Sequence, residues 1–174
     1  MRMRILKRLA IMLFCLSRVV ASAQQPVPAI TLLNHLTGKW VLKGTIAGKN
    51  ILHDITAEWV LGHQYIELKE TGREKLADGR PSYDAIVFIC YNKKLNRYDC
   101  LWLDNTATTD FDAKAIAHGI CKTNTIALLF KTGSKSLFHT MLTFTPNENK
   151  WHWKMESDEN GKIEVFADAQ MSKE

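Results

Sequence analysis

The chain lacks any stretch of the roughly 20 apolar residues that a helix needs to cross a bilayer. Its N-terminal apolar run, Leu9–Leu16, stops at Ser17 and Arg18. Familiar catalytic signatures are missing too: there is no G-x-S-x-G elbow, H-E-x-x-H, P-loop, glycine-rich dinucleotide fingerprint or C-x-x-C. Each of these places a nucleophile, a metal or a phosphate cradle at a fixed spacing. Without them the sequence nominates no catalytic residue, no metal site and no cofactor. Cysteine is scarce, with only Cys90, Cys100 and Cys121 beyond the first 23 residues. An odd count allows at most one internal bridge, which excludes a disulfide scaffold.

The N-terminus has the three parts of a secretory signal. Arg2, Arg4, Lys7 and Arg8 precede the apolar run, and Ala21-Ser22-Ala23 supplies small residues before Gln24-Gln25-Pro26. This plan predicts cleavage after Ala23 and release to the periplasm or the medium, with no membrane anchor afterwards. Cleavage also removes all the excess charge. The full chain carries 23 basic and 18 acidic residues, and the signal holds five basic residues and no acidic one. The remainder is formally neutral. It has no basic patch beyond Lys93-Lys94, so nucleic acid is excluded as a partner. The 151 residues that remain suit one domain with a real core.

A tether at Gln24–Pro28 leads into Ala29–Leu36, where Ile30, Leu33 and Leu36 fall at helical spacing and Gly38 follows. This predicts a short helix that plugs or abuts the core. From residue 39 onward the period is two. Strands are expected at 39–46, 51–61, 64–71, 83–91, 97–105, 109–117, 120–131, 137–145, 150–156 and 162–170, with turns between them that include His118-Gly119. No connection is long enough for the crossover that parallel strands require. Antiparallel up-and-down pairing follows, and closure into a barrel removes exposed edges. The expected fold is therefore all-β, a roughly ten-stranded up-and-down barrel with a short N-terminal helix; a β-sandwich is the alternative.

Several residues in order carry a family resemblance. Leu36-Thr37-Gly38-Lys39-Trp40 opens the first strand, and Glu58-Trp59-Val60-Leu61-Gly62 runs into His63-Gln64-Tyr65. Tyr91-Asn92 through Arg97-Tyr98 forms a hairpin that leads to Trp102-Leu103-Asp104-Asn105. The sequence resembles the lipocalin-like DUF1579 family and, more distantly, the nitrobindin-type haem barrels. The resemblance implies a calycin-type barrel with an interior cavity, and it brings no set of functional residues. Nitrobindin-type barrels take an axial histidine from near the C-terminus, whereas no histidine follows His152 here.

Within the barrel, Trp40, Trp59, Phe88, Trp102, Trp151 and Trp153 fall on phases read as inward. Rings of this size can enclose an apolar ligand or can fill a small barrel completely. Gly44, Ala57 and Ala85 on similar phases leave room for a cavity. His53 shares its phase with Ile51, Ile55 and Trp59, and His139 with Leu137 and Met141, so both are expected inside. Two inward imidazoles could bind a metal or contact a ligand's polar end, or each could be an ordinary core histidine. Asp54, Glu58, Glu67 and Glu164 fall on the polar, outer phase. Cys90 and Cys100 flank a turn. A five-residue loop would set them opposite one another, to bridge with a gain of about 2–3 kcal/mol, and a four-residue loop would put them on opposite faces.

The leading expectation is an exported carrier of a small hydrophobic or amphipathic molecule. Its ligand-binding residues would be Trp40, His53, Trp59, Phe88, Trp102, His139, Met141 and Trp153. The alternatives are a barrel enzyme, a hydrolase or isomerase pairing an inward histidine with an acid such as Asp104, and a filled barrel with a purely structural or interaction role.

Overall fold

The computed structural model describes residues 28–106 and 112–174. The expected signal segment and the tether up to residue 27 lie outside the described residues. A helix α1 (Ala29–Leu36) precedes ten strands: β1 (Gly38–Ile46), β2 (Lys49–Val60), β3 (Tyr65–Gly72), β4 (Asp84–Asn92), β5 (Arg97–Asp104), β6 (Ile116–Lys122), β7 (Thr125–Lys131), β8 (Ser136–Thr145), β9 (Lys150–Glu159) and β10 (Lys162–Lys173). Each strand pairs antiparallel with the next, and β1 pairs with β10 to close the barrel. The all-β, ten-stranded up-and-down barrel and its N-terminal helix are thus as the sequence predicts.

At the β1–β10 closure Gly44 faces Ala169. A Cβ on Gly44 would lie 2.3 Å from the Asp168 carbonyl oxygen and 2.4 Å from the Ala169 Cα. The absent side chain therefore lets two backbones meet. It does not leave room for a cavity, as the phase reading had it.

The sixth strand differs from expectation. His118-Gly119 is no turn but the middle of β6, with Gly119 opposite Leu128. The chain instead reverses at Thr123-Asn124, where Thr123 takes a positive φ of 53°. A Cβ on Gly119 would lie 2.2 Å from the Ala127 carbonyl oxygen. Here, too, glycine serves close strand approach, so its value as a turn signal misleads. Of the expected strand 109–117, residues 109–111 lie outside the described residues; Ala113–Ala115 form a 3-10 turn, and β6 begins at Ile116.

The β4–β5 hairpin pairs Asn92 with Arg97, leaving a four-residue loop. Cys90 then faces Asp99, and Cys100 faces Ile89. Adjacent positions point to opposite faces, so the two thiols cannot bridge. Cys90, Cys100 and Cys121 are all free. Burial pushes the Cys100 thiol well above its ordinary range, and the group acts as a small hydrophobe.

Helix α1 closes one end of the barrel by burying Leu32, Leu33 and Leu36 completely. Aromatic side chains tie it in place. The Trp40 indole donates to the Leu36 carbonyl (2.7 Å), Trp59 to Asn34 Oδ1 (2.9 Å), Trp151 to the His35 carbonyl (3.3 Å), and the Tyr98 hydroxyl to the Ala29 carbonyl (2.8 Å). The bonds from Trp40 and Trp151 occupy carbonyls of the last turn, which no helical N–H reaches. His35 stacks on Phe144 with centroids 4.5 Å apart, and Lys173 lies over the Trp40 ring at 3.9 Å. That end of the barrel is therefore filled.

Candidate functional site

The other end is hollow. A cavity of about 680 Å³ opens at the end away from α1, which is ample for a small ligand. Its two walls differ in chemistry because different strands supply them.

One wall is apolar. Phe130 of β7, Phe138 of β8, Met155 of β9, Phe166 of β10 and Ile46 of β1 face the space. The Thr140 side chain stands among them. It is 1% exposed, and its hydroxyl has no hydrogen-bond partner among the described residues. A buried unpaired hydroxyl is costly and marks where a ligand atom or a water would be welcome.

The facing wall is polar. His53 of β2 and Glu70 of β3 are both buried, and His53 Nδ1 lies 2.6 Å from Glu70 Oε1. Tyr83, just before β4, stacks on the imidazole with centroids 5.4 Å apart. Asp104 and Trp102, both from β5, complete this wall. Burial pushes the Glu70 carboxyl above the ordinary carboxylate range, opposed by its hydrogen bond to His53. Burial likewise raises the Tyr83 phenol, with the charges of Glu70 and Asp104 adding to the rise and the Trp102 indole opposing it. The pair is a buried acid and base that share one short hydrogen bond. Gly72 leaves space beside the second imidazole nitrogen: a Cβ there would lie 3.4 Å from His53 Nε2 and from the Tyr83 backbone.

The structure sorts the residues expected to bind ligand into four places. His53 and Trp102 line the cavity. Trp153 lies inside the barrel against Trp102, with ring centroids 5.5 Å apart. Trp40 and Trp59 face inward but at the plugged end, where they hold α1. Phe88, His139 and Met141 do not point inward, which corrects the phase assigned to them. In β8 it is Thr140, Leu142 and Phe144 that are buried, with Phe138 in the same phase. Both phases of that strand carry large apolar residues, so alternation alone could not choose between them. Pairing decides it, since Leu142 meets Trp153 and Phe144 meets Trp151 in one packed layer. In β4 the apolar run Ala85–Cys90 erases the alternation in the same way, and Val87 and Ile89 take the interior. Phe88 lies instead in a shallow outer groove with Leu61, Tyr65 and Leu101.

His53 and His139 therefore never meet, and no cluster of three metal-ligating side chains occurs among the described residues. Sequence reasoning missed Glu70, although its phase was legible: it continues the inward series Ile66 and Leu68. Tyr83 and Phe166 carried no comparable signal, because one precedes its strand and the other sits at the bulge between Val165 and Ala167. No protein-family model and no curated protein matches this chain.

Proposed function

We propose that this protein is a binding module that holds one small amphipathic molecule in the hollow end of its barrel. The observation that carries this reading is the division of a cavity of about 680 Å³ into an aromatic wall and a hydrogen-bonding wall. A ligand would lay its apolar part against Phe130, Phe138 and Phe166, and its polar part against His53, Tyr83 and Asp104. We also propose that the chain is exported by its N-terminal signal and belongs with the lipocalin-like DUF1579 proteins. The arginine-rich N-terminus and the ordered tryptophan motifs support these placements.

The neutral apolar dye N-phenyl-1-naphthylamine tests the reading. Titrated into the protein lacking residues 1–23, it should gain fluorescence with saturable, one-to-one uptake and quench the tryptophans, Trp102 among them. Absence of saturable uptake would contradict the proposal.

One observation supports a second reading. An imidazole held through Nδ1 by a buried carboxylate is the arrangement of a general base, so the His53–Glu70 pair also suits a hydrolase or isomerase. The two readings part on the fate of the ligand. A binding module returns it chemically unchanged after long incubation, whereas an enzyme converts it.

A further inference from the structure

We propose that the cavity selects a cationic amphiphile, an alkyl or aryl amine, over a neutral or anionic one; this rests on the binding reading above. The charged groups around the space are unevenly placed. Lys49 and Lys114 are its lysines, and both are exposed at the mouth. Lys114 is also paired with Asp112 at 3.2 Å. The inner polar wall holds the carboxyl groups of Glu70 and Asp104 and no lysine or arginine. Among the described residues its sole basic group, His53, is held by Glu70.

A carboxylate or phosphate head group would meet the carboxyl groups of Glu70 and Asp104, with no strong cation beside them. An ammonium suits the wall in three ways. It is a donor without acceptors, and the wall offers oxygens on Glu70, Tyr83 and Asp104. Across the space the unpartnered, 1% exposed Thr140 hydroxyl supplies another acceptor. Trp102, Tyr83 and Phe130 also line the space, and aromatic rings favour a desolvated cation through their quadrupoles. The Asp104 charge also opposes ionisation of the Glu70 carboxyl, and a bound cation would offset that.

The test is displacement of N-phenyl-1-naphthylamine at pH 7 by decylamine, decanol and decanoate, which share one tail length. Decylamine should displace the dye at a concentration at least tenfold lower than decanol, and decanoate should be weakest. Asp104→Asn keeps an oxygen for the bonds that Asp104 accepts from Thr106; it should bring the amine within about threefold of the alcohol. Glu70→Gln should narrow the gap as well, so the test survives if either variant fails to fold. Decanoate matching decylamine would overturn the inference, as would a preference for the amine that both variants retain. Dye uptake without displacement by any of the three would overturn it while leaving the binding reading intact. Failure of the dye itself to bind would remove both.

Discussion

Glu70→Ala is expected to destabilise the barrel by about 3 kcal/mol, where the costs of breaking a buried hydrogen-bonded acid–base pair and of stranding its partner overlap. Glu70 is 1% exposed and His53 is 6% exposed, so water can hardly replace the lost partner. The imidazole would keep its buried Nδ1 without the carboxyl that holds it. Replacing both residues should behave differently, because an apolar pair of similar volume removes the burial cost of both groups. His53→Leu combined with Glu70→Leu should therefore come within about 1 kcal/mol of the parent protein. Urea unfolding followed by tryptophan fluorescence measures all three. A single variant as stable as the parent would contradict this account of the pair, and so would a double variant as unstable as the single one. The contrast also separates the two roles of the pair, since the stable double variant should lose the preference of the cavity for amines.

Gly44→Val should be at least as damaging, for an unrelated reason. Its Cβ would lie 2.3 Å and 2.4 Å from backbone atoms of β10, and a backbone held in a ladder cannot rotate aside as a side chain can. Ordinary overpacking costs about 1–3 kcal/mol; a clash with backbone at the barrel closure should reach the top of that range or exceed it. For a domain of this size a loss of about 3 kcal/mol lowers Tm by about 6–12 °C. Thermal unfolding by circular dichroism checks the shift. A Gly44→Val protein that melts with the parent would show that β1 and β10 are not so closely apposed.

These two positions show what the sequence could and could not disclose. The barrel was legible because its determinants are local: period-two alternation, short turns and the absence of crossovers all point to antiparallel closure. The plug was legible from Leu33 and Leu36 at helical spacing, although Ile30, read with them, is exposed and Leu32 is buried instead. The phase of β8 was not, because Leu137 and Met141 compete with Phe138 and Leu142 on hydrophobicity alone. Only the layer formed with Trp151 and Trp153 on β9 resolves that tie. The tryptophans misled in a related way. Burial phase told correctly that Trp40 and Trp59 face inward, but position along the barrel axis decides whether such a ring meets a ligand or a helix. Their indole N–H groups are spent on α1. The site itself was half visible. His53, Trp102 and the missed Glu70 could be found by phase, whereas the contact between His53 and Glu70 and the stacked Tyr83 depend on strand register, which no local pattern reports.

The central claim is that the space bounded by the His53–Glu70 wall and the Phe130–Phe138 wall is where a ligand sits. Thr140→Trp tests it most directly, because the residue lines the cavity and its side-chain hydroxyl has no hydrogen-bond partner among the described residues. Titrated with N-phenyl-1-naphthylamine beside the parent protein, the variant should keep the parent's circular dichroism spectrum and bind the dye at least tenfold more weakly. Equal affinity in a folded Thr140→Trp protein would mean that the dye sits elsewhere, and that this cavity is not the binding site.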